Sequence, residues 1–329
     1  MSGSWAMAAS RNSPPNSLPE RVAAFLAART TPGERFRVGL SGGCDSVVLL
    51  HVLAGLGFGD RLQAVHVHHG LSANADRWAG FCTDYCRHLG VELLLEHVAV
   101  ERNGGLGLEA AARAARYEVF GRCAGDVLLL GHHRGDQAET LLFNLLRGAG
   151  VAGAAAIPVE RRHQQLRILR PLLDAAREEI ETYARDHRLA WVDDESNCDT
   201  GLTRNFLRHE VLAVLAGRFP AAERNLAQAA GHFAEAEALL GELASLDWRA
   251  TADGDALKLA ALRDLSLPRL KNLLRYRLRQ LGWHAPVAAR LDEFARQLQT
   301  AGADRHPALD LAEGSMVAGR GVLRWVGRG

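Results

Sequence analysis

Lysine is almost absent from this chain of 329 residues. Lys258 and Lys271 are its only lysines, so that arginine supplies 37 of the 39 basic residues. A nucleotide-hydrolysing P-loop of the Walker A type needs a lysine directly after its glycines. Because no lysine precedes Lys258, the sequence excludes that kind of loop before this position but allows a phosphate-binding loop that works without lysine.

Cysteine and long apolar runs are also scarce. The five cysteines are odd in number and scattered, which favours a reducing compartment and a cytoplasmic location. Cys82 and Cys86 have helical spacing, and we interpret them as half-buried helix residues in preference to a metal-binding pair. No apolar run has the length needed to cross a bilayer, so we expect no membrane partner.

The order of residue types along the chain predicts its domains. A start rich in Ser, Pro and Asn predicts a disordered leader over residues 1–19. Strand-like and helix-like segments alternate over residues 20–219, which predicts an α/β domain with a mainly parallel, twisted sheet and helices on both faces. Ligands of such sheets bind at the carboxyl ends of the strands. Residues 220–329 are rich in Ala, Leu, Glu and Arg with helical periodicity, which predicts a smaller helical domain.

A short strand-like segment leads into a glycine turn, and a helix-like apolar run follows. The turn reads Ser41-Gly42-Gly43-Cys44-Asp45-Ser46. A strand, turn and helix in this order direct backbone N–H groups at an anion, and the glycines let a phosphate approach the main chain. The serines add hydroxyl donors, and Asp45 suits a divalent cation or its water shell. We therefore predict a phosphate-binding loop, the alternative being a plain strand-to-helix turn.

A second informative segment, residues 131–140, follows another predicted strand. Its helix-like part has an apolar stripe that should pack on the sheet, with Asp136 and Glu139 on the other side. Both acids lie in the first helical turn, where they also suit the helix dipole. Two acids beside a nucleotide pocket would bind a cationic substrate such as an amine. Asp136 can also serve simply as a helix cap.

Two further groups of residues have competing interpretations. His66, His68 and His69 have no cysteine or carboxylate at ligand spacing, so we favour a role in shaping the nucleotide pocket over a zinc site. Residues 265–291 contain several basic residues and no acid. They suit the backbone of a nucleic acid, or equally a soluble basic helix balanced by acids elsewhere in the domain.

Several segments in order carry a resemblance to a known family. The turn at 41–46 resembles the SGGxDS signature of the PP-loop ATP pyrophosphatase superfamily, whose members bind the pyrophosphate of ATP and adenylate a substrate. With it, residues 35–219 resemble the tRNA(Ile)-lysidine synthase family, and residues 221–283 resemble that family's helical substrate-binding domain more loosely. The other segments are HVHHGLSANAD at 66–76, ARAARY at 112–117, GHHRGDQAETLLFNLLRG at 131–148, RPLL at 170–173, and DESN with TRNFLRHE within 194–210. Longer members carry a further carboxyl-terminal domain, which we expect here to be absent or much reduced.

The resemblance implies an ATP-dependent ligase that joins free L-lysine to carbon 2 of the wobble cytidine of tRNA(Ile) with a CAU anticodon. ATP would first adenylate the cytidine, and the lysine amine would then displace AMP. The implied ATP-binding residues are Ser41, Gly42, Gly43, Cys44, Asp45, Ser46 and His133, with Mg²⁺ at Asp45. Asp45, Arg113, Asp136 and Glu139 are the implied catalytic residues: Arg113 steadies the phosphate, and the last two hold lysine.

The implied tRNA contacts are Arg147, Arg204 and Arg208, to which the basic segment adds Arg269, Lys271 and Arg275. A homodimer is a further open expectation. One rival interpretation is a PP-loop tRNA thiolation enzyme, which generally needs paired cysteines. No Cys-X-X-Cys pair occurs in the sequence. A second rival is a non-catalytic nucleotide-binding or RNA-binding module, for which the acids Asp45, Asp136 and Glu139 would be unnecessary.

Overall fold

The computed structural model describes residues 17–100, 108–122, 127–163, 166–195, 200–201, 203–300 and 305–328. The chain folds as two compact units, Met1–His232 and Phe233–Gly329. No helix in the described ranges is both long and apolar enough to span a membrane. Ser17 caps the first helix, which begins at Leu18, and the rest of the predicted leader up to residue 16 lies outside the described residues.

The larger unit alternates strands and helices, as the sequence predicts. Its strands are β1 (Phe36–Gly39), β2 (Leu62–His68), β3 (Glu92–His97), β4 (Val127–Leu129), β5 (Glu160–His163) and β6 (Leu166–Leu169). Its helices are α1 (Leu18–Ala27), α2 (Cys44–Gly55), α3 (Ala75–Leu89), α4 (Leu108–Arg122), α5 (Arg134–Leu146), α6 (Val151–Ala154), α7 (Arg177–Asp186), α8 (Thr203–Phe206) and α9 (Leu212–Arg218). A 3₁₀ turn (Gly59–Arg61) precedes β2, and a π-helical turn (Leu207–Val211) joins α8 to α9.

The strands form one sheet in the order β3-β2-β1-β4-β6-β5. All neighbouring pairs are parallel except β5 with β6. Successive residues of β4 and Leu130, the residue after it, pack on opposite faces of the sheet. Val127 and Leu129 belong to one apolar cluster with α1, α2, α3 and α7, whereas Leu128 and Leu130 belong to a second cluster with α4. This alternation places helices on both faces of the sheet and confirms the predicted α/β architecture.

The register of β1 and β4 decides where the site lies. Val38 pairs with Leu129, so that these two parallel strands end side by side. The predicted phosphate-binding loop follows β1, and the predicted acid pair follows β4. The topology therefore brings the two informative segments of the sequence to the same edge of the sheet, as expected for ligand sites of open α/β sheets.

The smaller unit combines helices with an antiparallel sheet. The long helix α10 (Ala222–Thr251) runs into it and is followed by α11 (Leu259–Arg263), α12 (Leu267–Gln280) and α13 (Ala288–Thr300). Its sheet has the order β7-β8-β11-β10-β9, from β7 (Ala252–Asp253), β8 (Ala256–Lys258), β9 (Ala308–Asp310), β10 (Gly314–Gly319) and β11 (Val322–Gly327). The sequence predicts the helices but not this sheet, because the strands are short and β10 begins and ends with glycine.

Candidate active site

The loop after β1 is held in shape by its own serines and by one strained glycine. The Ser41 N–H donates to Ser46 Oγ at 3.2 Å, and Ser46 Oγ donates to the Gly43 carbonyl at 2.9 Å. Gly42 has a φ of +91°, and a Cβ there would lie 2.7 Å from Val192 Cγ2. Only glycine satisfies both conditions. The serine hydroxyls thus set the loop so that the N-terminus of α2, which begins after Gly43, is presented to an anion.

The two loops touch through a second glycine. A Cβ on Gly131, just after β4, would lie 3.0 Å from the Asp45 carbonyl oxygen and 3.2 Å from the Ser46 amide nitrogen. These atoms belong to the backbone, which cannot move aside as a flexible side chain can. Gly131 therefore allows the segment with the acid pair to lie directly against the phosphate-binding loop.

We expect Gly131→Ala to slow ATP use while the protein remains folded. The added methyl group should push the loop at Asp45 by a few tenths of an ångström, reducing ATP-dependent pyrophosphate release about tenfold, whereas overpacking of this kind costs about 1–3 kcal/mol of unfolding free energy. Pyrophosphate release and thermal unfolding measure the two effects. Gly55→Ala at the end of α2, where a Cβ meets no atom within 4 Å, is the matched control. Wild-type pyrophosphate release by the Gly131→Ala protein would refute this role.

His133 lies between the loop and the acid pair. The Gly135 N–H donates to His133 Nδ1 at 3.0 Å, so the proton of the neutral ring is on Nε2. Nε2 lies 3.9 Å from Asp45 Oδ2 and 3.8 Å from Asp136 Oδ2. A Cβ on Gly135 would lie 2.7 Å from the imidazole Cε1. Glycine at this position thus lets the buried imidazole cap α5 while its N–H faces both carboxylates.

Asp45 has the features of a metal ligand. Its Oδ1 atom is buried and has no hydrogen-bond partner among the described residues. Burial raises the pKa of Asp45, and His133 and two nearby arginines only partly offset this effect. A buried, unpartnered carboxylate oxygen is costly unless a cation binds it. In the described part of the chain no three His, Cys, Asp or Glu side chains form a metal-binding group. One carboxylate plus substrate phosphates suits Mg²⁺, which seldom uses an all-protein cage.

The acid pair consists of the buried Glu139 and the partly buried Asp136, and it already holds a cation from the chain. Glu139 is 5% exposed, and its two oxygens accept bonds from Arg208 Nε at 2.5 Å and Nη2 at 3.0 Å. The same Nη2 lies 3.3 Å from Asp136 Oδ1, while Asp136 Oδ2 accepts the His133 N–H at 2.9 Å. The family resemblance implies that Arg208 contacts tRNA, but the structure places its guanidinium on the predicted lysine-binding acids.

The two acids differ in electrostatics. Burial raises the pKa of Glu139 above its ordinary value despite the bonds from Arg208. Burial also opposes ionisation of Asp136, but its histidine neighbours, the bond from the His133 N–H and Arg208 outweigh this and lower its pKa. Asp136 is therefore the more firmly ionised of the two, and Glu139 is the stronger base.

The remaining predicted residues lie in three places. Arg113 lies over the ring of Tyr117 at 5.3 Å, and Arg147 and Arg204 both lie over the ring of Phe143, at 5.0 and 6.0 Å. In the smaller unit Arg269 pairs with Asp247, and Lys271 Nζ lies 2.7 Å from Asp292. Acids of neighbouring helices thus neutralise part of the basic segment, as one of its two interpretations expects. The bond from Lys271 lowers the pKa of Asp292, and the nearby charge of Arg275 adds to this effect.

The histidines and cysteines near the loop support its shape. His66 Nδ1 lies 2.7 Å from the carbonyl oxygen of Leu40, the residue just before the loop, and 3.4 Å from Cys82 Sγ. His68 pairs with Asp76 at 2.9 Å. Cys82 and Cys86 are free and fully buried in α3. The geometry supports the predicted pocket-shaping role of His66, and it makes the two cysteines core residues of the helix.

The comparisons with known proteins agree with the fold and the loop. The PP-loop domain family matches residues 16–215, and the TilS substrate binding domain matches residues 257–328. A solved structure of the U34-tRNA thiolase NcsA from Methanococcus maripaludis, with its [4Fe-4S] cluster, superposes with a TM-score of 0.57 at 16% identity. It covers 66% of this chain and 78% of that one, and supports the fold alone. Fold and loop together define a PP-loop protein.

Curated relatives show to which family of PP-loop proteins the chain belongs. The tRNA(Ile)-lysidine synthase of Aromatoleum aromaticum is 48% identical over 84% of this chain and 65% of its own length. The enzymes of the same name from Nitrosomonas europaea and Alkalilimnicola ehrlichii are 42% and 44% identical over 91% and 92% of this chain, and 67% and 68% of their own lengths. The chain belongs to the tRNA(Ile)-lysidine synthase family. It spans about two thirds of the length of these relatives.

Proposed function

We propose that the protein is an ATP-dependent ligase that joins L-lysine to carbon 2 of the wobble cytidine of tRNA(Ile) with a CAU anticodon. The observation that carries this proposal is the acid pair, the buried Glu139 and the partly buried Asp136, beside a lysine-free phosphate-binding loop, with a cationic side chain bound to it. A nucleotide site alone would need no such pair. A substrate with ammonium groups would need such a pair of acids, because the carboxylates balance its positive charge and are themselves stabilised by it.

The proposed reaction has two steps. The loop at residues 41–46 binds the phosphates of ATP, and Asp45 would hold the Mg²⁺ that neutralises them. The oxygen on carbon 2 of the cytidine attacks the α-phosphorus, and pyrophosphate leaves. The side-chain amine of lysine then attacks carbon 2, and AMP leaves with the oxygen.

The second step also requires a base. An ammonium group has no lone pair, so one proton must leave the substrate before it attacks. Glu139 is the better acceptor of the two acids, since burial raises its pKa. Asp136, whose pKa is lowered, serves as the permanent negative charge that holds the substrate.

The tRNA would approach beside α5 and α8. Arg147 and Arg204 are exposed, stack on Phe143, and make no ion pair with any described residue, so they remain available for phosphates. A domain boundary at 219, a cytoplasmic location and a homodimer are parts of the same proposal. Light scattering of the purified chain tests the homodimer.

The direct test supplies ATP, Mg²⁺, radiolabelled lysine and an unmodified tRNA(Ile) transcript with a CAU anticodon. We expect labelled lysine in the tRNA, with one AMP and one pyrophosphate released for each lysine. A transcript with guanosine at the wobble position has no oxygen on carbon 2 and should accept no lysine. Absence of transfer to the correctly folded CAU transcript would refute the proposed function.

A further inference from the structure

The acid pair is occupied by a side chain of the same protein. Arg208 approaches Glu139 with two nearly parallel bonds, from Nε at 2.5 Å and Nη2 at 3.0 Å, and reaches Asp136 Oδ1 at 3.3 Å. Paired bonds between a guanidinium and a carboxylate are among the strongest that side chains form. A substrate ammonium that binds these acids therefore meets a competitor that is already in place.

The acid pair is buried on the side of Glu139 and accessible to solvent on the side of Asp136 and Arg208. The Glu139 side chain is 7% exposed, whereas the Asp136 and Arg208 side chains are 22% and 28% exposed. The guanidinium uses both oxygens of Glu139 and one of Asp136. An ammonium that binds the same oxygens would lie close to the guanidinium, and the repulsion between the two cations favours binding of one at a time. An incoming ammonium would enter at the exposed edge and bind the carboxylate oxygens once Arg208 has moved away from them.

The backbone at Arg208 suits a side chain that changes partners. Arg208 lies in the π-helical turn Leu207–Val211. Such turns are rare in proteins, and those that occur are often at functional sites. Leu207 is 1% exposed and anchors the turn, while the next two positions after Arg208 are exposed. The long arginine side chain can thus rotate toward solvent while the buried residue beside it stays in place.

We propose that Arg208 determines the specificity of the acid pair by occupying it in the ligand-free protein, so that only a ligand with further anchoring groups displaces it. The proposal rests on the proposed function, which supplies lysine as that ligand. A tethered guanidinium has an effective concentration in the millimolar range or above, which a simple amine in solution does not overcome. Lysine has an α-carboxylate and a second amine with which to gain the additional binding energy.

Removing the competitor should tighten binding and relax specificity. If the arginine-free state makes up about 10% of the ligand-free protein or less, the apparent Kd is the intrinsic Kd divided by that fraction, and is therefore about tenfold higher or more. Arg208→Gln should therefore bind lysine about tenfold more tightly than the wild type in equilibrium dialysis without tRNA. It should also bind 1,5-diaminopentane, which lacks the α-carboxylate and which the wild type excludes. Arg185→Gln, which removes an exposed arginine at the end of α7, is the control and should leave the lysine Kd unchanged.

Two further measurements separate the possible results. Arg208→Gln leaves two buried acids without their partner, so Arg208→Lys, which keeps a cation with one bonding point, serves if the first variant does not fold. It should bind lysine about threefold more tightly than the wild type. An equal or higher lysine Kd in the folded variants would overturn the proposal and leave the proposed function intact. If neither the wild type nor a variant binds lysine, the proposed function fails. Methylguanidinium then tests the role of Arg208 separately: binding to Arg208→Ala but not to the wild type would support occupation of the acid pair by Arg208. Absence of methylguanidinium binding to Arg208→Ala would overturn the proposal.

Discussion

Asp45→Asn is expected to abolish pyrophosphate release from ATP, with a loss of about 1,000-fold or more. The substitution keeps the shape of the side chain but removes the negative charge that would hold Mg²⁺ against the phosphates, and losing one such electrostatic contact costs about 10²–10³ in rate even where the metal remains. The measurement is tRNA-dependent pyrophosphate release at saturating ATP and Mg²⁺.

Stability provides the control for this variant. Because burial raises the pKa of Asp45, the folded state disfavours its charge, so near neutral pH the ionised carboxylate lowers stability relative to the unfolded chain. Asp45→Asn should therefore unfold at the same temperature as the wild type or higher. Asp60→Asn, at an exposed position of the 3₁₀ turn before β2, should leave pyrophosphate release unchanged. Substantial release by Asp45→Asn would show that Asp45 does not hold the metal.

Asp136→Asn is expected to impair the use of lysine and to spare adenylation. Asparagine keeps an oxygen that can accept the His133 N–H, so α5 retains its cap, but the permanent charge of the acid pair is lost. A charge-assisted bond of this kind contributes about 1.5–3 kcal/mol, which corresponds to a KM for lysine raised about 10- to 100-fold. The assay measures lysine transfer as a function of lysine concentration.

Pyrophosphate release separates binding of lysine from binding of ATP in this variant. It precedes the entry of lysine into the reaction and should stay within about threefold of the wild type, since Asp136 makes no hydrogen bond or ion pair with the described loop residues 41–46. An unchanged KM for lysine would show that this carboxylate does not bind the substrate. Loss of pyrophosphate release instead would place Asp136 in the nucleotide site.

Much of the larger unit could be predicted from the sequence because its signals are local. The glycine turn at 41–46 lies between a strand and an apolar helix, and strands and helices alternate along the larger unit as its sequence predicts. Since β1 and β4 are parallel neighbours, the rule that ligands bind at strand carboxyl ends was enough to bring the loop and the acid pair together. The relatives confirm the predicted family.

The parts that could not be predicted depend on contacts between residues distant in the chain. Arg208 lies 69 residues after Glu139, and nothing in its local sequence distinguishes an arginine that binds acids from one that binds phosphate. The basic segment shows the same limit, because the acids that neutralise Arg269 and Lys271 belong to α10 and α13. The sequence also does not show which atoms lie against Gly131 and Gly135. A glycine next to a functional residue nevertheless indicates that the backbone is closely packed there.

A crystal structure of the chain with Mg²⁺, a non-hydrolysable ATP analogue and lysine would show directly which groups bind each ligand. We expect the triphosphate over the amides of residues 41–46, the metal on Asp45, and an ammonium group of lysine within about 3 Å of Asp136 and Glu139, with the guanidinium of Arg208 displaced. A nucleotide bound away from this loop, or lysine bound elsewhere while Arg208 still holds both acids, would contradict this expectation.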